Sequence, residues 1–210
     1  MCGRYQAWVE DDALMEILEM EKLGAAERYL RQAEVFPGTV QPLLYGSLVR
    51  MRAHLSFWGI PLSPWGKRGT LINARAETAA EKSLFRPAFD YESSSPQSKA
   101  RRAAVVTSGY FEWRDGVKHH IADADGSPLF LGAIELDDPA AETAPNIGDP
   151  AGMPPRRHVI LTVPASGAPA LVHDRMPLFL RRADLDAWLY DPDHARYFLS
   201  HPSPVEMKVS

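Results

Sequence analysis

A chain of 210 residues suffices for one domain with a sizeable core. Its 45% hydrophobic and 24% charged content is that of an ordinary globule, and the lack of any run of about 18 apolar residues excludes a helical membrane span. A net charge of −4 argues against broad electrostatic adhesion to nucleic acid, and one cysteine excludes an internal disulfide framework or a thiolate metal cluster.

The opening "MCGRYQAWVEDDAL" has no apolar signal core, so a reducing cytoplasm is the expected compartment. "EDDALMEILEMEKL" sets Leu14, Ile17 and Leu18 on one helical face, with Asp11 or Asp12 as the cap. "LVRMRAHLSFWG" alternates. Val49, Met51, Ala53, Leu55 and Phe57 point one way, and Arg50, Arg52, His54 and Ser56 the other, which predicts a half-buried strand with a polar outer face. "RAETAAEKSLF" predicts a short helix. "RAAVVTSGYFEW", "SPLFLGAIEL" and "RHVILTVPA" predict buried strands, and "RADLDAWLY" a second short helix. Strands outnumber helices without regular interleaving, which predicts an α+β domain. "SSSPQSK" reads as a mobile loop, and the Pro- and Gly-rich stretch at 137–157 as a flexible insertion.

Charge is unevenly spread. Residues 67–102 hold eight basic against four acidic side chains; residues 115–149 hold eight acidic ones against Lys118 alone. Such a middle segment allows a local anion-binding face, although charge runs are commonly just solvated surface.

Five residue types carry potential chemistry. Removal of Met1 would leave Cys2 with an amine and a thiol on adjacent carbons. Such a pair condenses with an aldehyde to an imine and then closes a five-membered thiazolidine ring; the competing reading is a small buried hydrophobe. In "LINARAET", Asn73 and Arg75 share a face, and Glu77 falls in the first turn of the helix that follows. Arg75 there suits a phosphate. "SGYFEW" sets Glu112 between Phe111 and Trp113, as a carboxyl pointing into a cleft or as an outward side chain on an edge strand. "LVHDRMPLFL" supplies His173, an imidazole able to shuttle protons, and Arg175, suited to a phosphate or a carboxylate. No histidine pattern has metal-ligand spacing, and nothing calls for a cofactor.

"MCGRY", "INARAET", "GYFEW" and "HDRMP" occur in the order and spacing of the SOS-response-associated peptidase (SRAP) family of abasic-site processing proteins, which the chain resembles over nearly its whole length. The resemblance implies a single domain over 1–210, mainly β, with a barrel-like sheet and a few short flanking helices. It implies covalent capture of the ring-opened aldehyde of an abasic site in single-stranded DNA, as a thiazolidine that shields the lesion. Cys2 would be the nucleophile, Asn73 would orient it and the sugar, Glu112 would be the general acid–base, and His173 would assist proton transfer and reversal. Arg4 and Arg75 would hold flanking phosphates; Trp58, Trp65 and Trp113 would offer stacking surfaces, and Pro37 a wedge beside the DNA. The partner would be abasic single-stranded DNA, the protein a monomer, and no membrane would be involved.

Three stretches depart from the family pattern: "LTVPASG" before the histidine motif, "FLGAIEL" where an aromatic is usual, and the 137–157 insertion. The competing functions are an autocatalytic cysteine peptidase acting on its own leader, a non-catalytic single-strand binder, and a redox-sensing thiol, the last disfavoured by the want of a resolving cysteine.

Overall fold

The structure, a computed structural model, describes residues 2–8, 31–48, 50–62, 69–90, 98–137 and 156–210. The helix expected around Leu14, Ile17 and Leu18, the side chain of Trp65, most of the loop at 93–99 and nearly all of the 137–157 insertion lie outside the described residues.

The described strands, in chain order, are β1 (Tyr5–Trp8), β2 (Arg31–Val35), β3 (Val40–Gly46), β4 (Met51–Trp58), β5 (Ile60–Pro61), β6 (Thr70–Leu71) and β7 (Asn73–Arg75). After them come β8 (Ala100–Thr107), β9 (Gly109–Arg114), β10 (Val117–Asp123), β11 (Leu129–Asp137), β12 (Arg156–Pro164), β13 (Arg175–Pro177), β14 (Phe179–Leu180) and β15 (Met207–Val209). Among the described residues, helices are few and short: α1 (Ala76–Ala79), α2 (Leu185–Tyr190) and α3 (Pro192–Ser200). The fold is therefore mainly β, as expected.

One sheet runs β13-β12-β4-β3-β8-β11-β14, and β11 also pairs with β12, so five of its strands close into a ring. The closure is uneven. β11 and β12 pair over five residues, whereas β12 meets β4 only through Arg157↔Phe57 and His158↔Trp58, in parallel. The second sheet runs β15-β10-β9-β1-β2. It packs on the first sheet through Tyr5 against Trp58 of the ring, aromatic centroids 5.2 Å apart, and Tyr110 against Phe179 of the flanking β14, 5.7 Å apart.

"RAAVVTSGYFEW" is two strands in two sheets. The chain turns between β8 and β9 at Ser108–Gly109, where a Cβ on Gly109 would stand 2.7 Å from the Ile121 carbonyl oxygen. Glycine alone allows that approach.

β4 departs from the sequence reading. Its polar set turns inward: His54 and Ser56 are buried, while Leu55 and Phe57 are half-buried. In-register neighbours share a face, and the pairings Leu43↔His54, Tyr45↔Ala103, Arg101↔Glu135 and Glu135↔His158 place all these side chains on one face of the ring. The opposite face is covered by α2: Trp188 Nε1–H donates to Ala103 O at 2.9 Å, and Arg102 Nε–H to Trp188 O at 2.6 Å. The ring's inside therefore carries an ionic cluster. Glu135 accepts from His54 Nε2 at 2.5 Å and from Arg101 Nε at 2.7 Å, and Arg156 Nη1 stands 3.7 Å away. Arg101 also donates to His54 Nδ1 at 3.0 Å, so one tautomer, with the hydrogen on Nε2, satisfies both contacts. Burial alone would raise the Glu135 carboxyl, but His54 and Arg101 overcome it and hold it far below the usual carboxylate range. A polar side chain turns into a closed interior when its charge is matched there.

Arg102 and α2 anchor the remaining layer. The Arg102 guanidinium donates to the carbonyls of Trp188, Leu189 and Ala88, so it satisfies C-terminal oxygens of α2 and ties α2 to the 3₁₀ turn at Arg86–Phe89. Burial lowers its pKa to about 10. On β11, Gly132 leaves room for Leu178, whose Cδ2 would stand 2.9 Å from a Cβ at that position. The helix expected in "RAETAAEKSLF" is only one turn, α1, followed by turns. α3 went unread although its signal is local: Asp191 caps Asp193 and His194 amides, and Pro192 sits at the first helical position.

Candidate active site beside the N-terminal strand

β1 lies between β2 and β9, and backbone bonds continue past its end. Phe111 N–H donates to Arg4 O at 2.9 Å, and Ser108 N–H to Gln6 O at 3.0 Å. The start of the chain thus runs along β9, which brings Cys2 close enough to Glu112 for the carboxylate to act on the thiol, and close enough to Tyr110 for the thiol to act on the phenol. Cys2 is fully buried, with Sγ 3.9 Å from Arg4 O. Burial, and then the Glu112 carboxylate, pushes its thiol up to about 12. Burial likewise raises the phenols of Tyr5 and Tyr110, with Cys2 adding to both.

Asn73 comes from far along the chain. β7 pairs in parallel with β12, Asn73 opposite Ile160. This carries its amide to Cys2: Nδ2–H donates to Cys2 O at 2.8 Å across 71 residues. Its buried Oδ1 has no hydrogen-bond partner among the described residues, which leaves an acceptor open beside Cys2.

Glu112 takes the inward of its two possible orientations. Along β9, Tyr110 and Glu112 face the ring; Phe111 and Trp113 face away. Glu112 is 4% exposed and Trp113 39%. The carboxyl of the "GYFEW" motif is thus a core-facing group, and its neighbouring tryptophan is a surface ring.

His173 sits on a loop pinched shut by Ala165 N–H donating to Asp174 O at 2.9 Å, so the departure "LTVPASG" still fixes this loop through backbone. Arg114, on the Glu112 strand, donates to Leu171 O and ties the loop to β9. The His173 Nδ1 atom lies 2.9 Å from Arg175 N–H and 2.7 Å from Asp174 Oδ1. One nitrogen cannot accept and donate at once. The tautomer decides between them: a bare Nδ1 accepts from Arg175 N–H, and an Nδ1–H donates to Asp174.

The arginines and aromatics divide. Arg75 is exposed at the start of α1. Arg175 is engaged with Glu77, its Nη2 2.9 Å from Oε2, and donates to Thr162 as well. Its bond to Glu77 is the first cause holding that carboxyl below its ordinary value. Arg175 therefore clamps a carboxylate of its own chain. Arg4 is paired with Glu34 at 2.8 Å and lies between the rings of Phe36 and Trp113. Pro37 stands half-buried in the turn after β2, with Gly38 at φ 81°. Trp58 is removed from the stacking surfaces: it is fully buried, and Nε1–H donates to Ile72 O at 2.9 Å. An apolar alternation cannot show that an indole at a strand end is covered by a second sheet. Among the described residues no group of His, Cys, Asp and Glu is arranged for a metal ion.

Sequence reasoning missed Tyr110, Phe36, Glu34 and Lys118. For Lys118 a signal was present, since it is the only basic residue in the acidic stretch 115–149. Glu34 carried none.

A buried cysteine tethered by an asparagine, with an inward carboxyl on the neighbouring strand β9, makes up the candidate site. The chain matches the SOS response associated peptidase (SRAP) family over residues 1–209 and belongs to that family. It is 31% identical over 196 residues to the abasic site processing protein YedK of Escherichia coli (strain K12), covering 90% of this chain and 79% of that one. It is 25% identical over 221 residues to the abasic site processing protein YoqW of Bacillus subtilis (strain 168), covering 100% and 91%. Two solved structures share the fold. A Bordetella bronchiseptica protein superposes with a TM-score of 0.65 at 22% identity, covering 100% of this chain and 98% of that one. A Bacteroides thetaiotaomicron protein does so at 0.64 and 19%, covering 99% and 90%. No helix among the described residues is long and apolar enough to cross a membrane.

Proposed function

We propose that the protein processes abasic sites by forming a thiazolidine cross-link between Cys2, freed of Met1, and the aldehyde of an abasic site in single-stranded DNA. The observation that carries this reading is the meeting of three distant motifs: Asn73 holds the Cys2 carbonyl at 2.8 Å, and the buried Glu112 carboxylate, on the neighbouring β9, is near enough to raise the Cys2 thiol.

Burial of the thiol favours a nitrogen-first order. In the chain that carries Met1, burial and then the Glu112 carboxylate push the thiol up to about 12; burial of the sulfur persists when Met1 is gone, so the sulfur does not lead. An α-amine has an ordinary pKa of about 7.7–8.0 and needs no thiolate to attack. Glu112 relays the proton of the C1 hydroxyl to the ring oxygen, which opens the deoxyribose to the aldehyde. The amine adds to the aldehyde carbon, one N–H proton passing to the oxygen, and the carbinolamine loses that oxygen as water, Glu112 giving the proton the departing oxygen needs and taking back the one left on nitrogen. The thiol then adds to the imine carbon. Its sulfur forms the C–S bond, and its proton passes through Glu112 to the nitrogen, so no oxidant or reductant is needed. The second addition is intramolecular, which replaces the missing thiolate population by effective concentration. The open Oδ1 of Asn73 accepts from a sugar hydroxyl, and His173 exchanges a proton with the solvent side. Arg75 and Trp113, both exposed, supply a phosphate contact and a stacking surface. The protein acts as a monomer in the cytoplasm.

The same raised thiol disfavours a peptidase reading in which Cys2 sulfur attacks first. The test is incubation of the Met1-free chain with an abasic oligonucleotide, followed by a denaturing gel. A shifted band should form, and Cys2→Ala should abolish it; an equal band from Cys2→Ala would end the proposal.

A further inference from the structure

The outward face of the five-stranded sheet carries a charged and aromatic cluster of which the chemistry above uses only the Trp113 ring. Lys118 is in register with Trp113, and His120 with Phe111, so all four share that face. Arg4 joins them from the residue before β1. Its guanidinium lies 4.3 Å from the Phe36 ring centroid and 4.8 Å from that of Trp113. Lys118 Nζ lies 4.1 Å from the Phe111 centroid. Glu34, on β2, bridges the two cations: Oε2 is 2.8 Å from Arg4 Nη1, and Oε1 accepts from Lys118. Neither ion pair is sealed off. The side chains of Arg4 and Glu34 are each 28% exposed and that of Lys118 36%, while Phe36 and Trp113 stand open at 43% and 39%.

One anion held between two cations, with open rings beside one of them, has the form of a backbone phosphate followed by a stacked base. We propose that Glu34 occupies the seat of a phosphodiester, and that a single strand running past Cys2 displaces it, setting a phosphate on Arg4 and Lys118 and a base against Phe36 or Trp113. This rests on the DNA reading above and adds to it a residue that sets specificity. The carboxylate carries the charge the incoming phosphate brings, so exchange of one for the other changes the local charge little. Undamaged strands therefore bind weakly here, and lasting retention depends on the covalent bond at Cys2. The cost of displacement is low because exposed ion pairs contribute little. Arg4 stays in place meanwhile, since the two rings hold it from either side.

Glu34→Gln keeps the size of the side chain and removes its charge. The experiment measures binding of an undamaged, fluorescent single-stranded oligothymidine to the full chain over a salt series, by anisotropy. The variant should bind about five- to tenfold more tightly at low salt, and its log–log salt slope should steepen by about 0.7 for each additional phosphate neutralised. Adding Lys118→Gln to the variant should remove most of that increment. If Glu34 merely braced β2 against β10, its loss would weaken binding; weaker or unchanged binding with the same slope therefore overturns the inference. The abasic cross-linking gel, run on the natural chain alongside, separates the two readings. No adduct there refutes the enzyme reading, whereas an adduct together with unaltered Glu34→Gln binding refutes the phosphate seat alone.

Discussion

Glu135→Ala is the sharpest test of the ring's interior. The natural side chain is fully buried and takes hydrogen bonds from His54 and Arg101, with Arg156 also facing it. Removal leaves Arg101 and Arg156, each 2% exposed, without their shared counter-charge. Breaking a buried pair by deleting one partner typically costs about 3–5 kcal/mol, because the remaining charge has lost both water and its mate. Arg156 retains Asp137 at 2.8 Å, and among the described residues Arg101 retains the face of Tyr45, 3.7 Å from its ring centroid, and His54. The loss should therefore lie near the middle of that range, about 4 kcal/mol. With a urea dependence of about 2 kcal/mol per molar, the unfolding midpoint should fall by about 2 M. Replacing Glu135 by Leu and Arg101 by Met together should recover most of the loss, since an apolar interior needs no counter-charge. A midpoint lowered by under about 0.5 M in Glu135→Ala would refute the closed ring and its cluster.

Stability should also respond to acid in two stages. Burial lowers His158 from 6.5 to about 4, so the unfolded chain takes up a proton before the folded one does, and stability falls as pH drops from about 6.5 towards 4, by about 3 kcal/mol. Glu135, depressed in the fold, adds a further loss below about 4.5; His158→Phe should flatten the first stage only, in urea midpoints taken across pH. Glu112→Gln should slow adduct formation by about 10²–10⁴-fold with the unfolding midpoint nearly unchanged, measured by quenched gel time courses. Asn73→Ala leaves the buried Cys2 carbonyl without its donor, so it should cost about 1–3 kcal/mol of stability and slow capture as well; slowed capture at unchanged stability would refute the tether.

The residues themselves determined a good deal. Apolar runs with β-branched side chains marked β8, β11 and β12, and the chemistry of a cysteine at position 2 was plain from its reactivity, because both are local properties. The four motifs marked the SRAP family. Other matters belonged to tertiary structure. Alternation in "LVRMRAHLSFWG" showed that His54 and Ser56 share a face, but their direction depended on Glu135 and Arg101, which arrive from strands far along the chain. Trp58 became core because β1 delivers Tyr5 to it, and Glu112 turned inward because β9 lies between β1 and β10. For Arg175 the sequence left phosphate and carboxylate both open, and for Arg4 the family resemblance implied a phosphate; the partners each found, Glu77 and Glu34, came through strand–helix contact and strand pairing. Periodicity reports which side chains move together; which surface they meet, and so whether a charge is solvated, matched or left open, is decided only when distant strands close on one another.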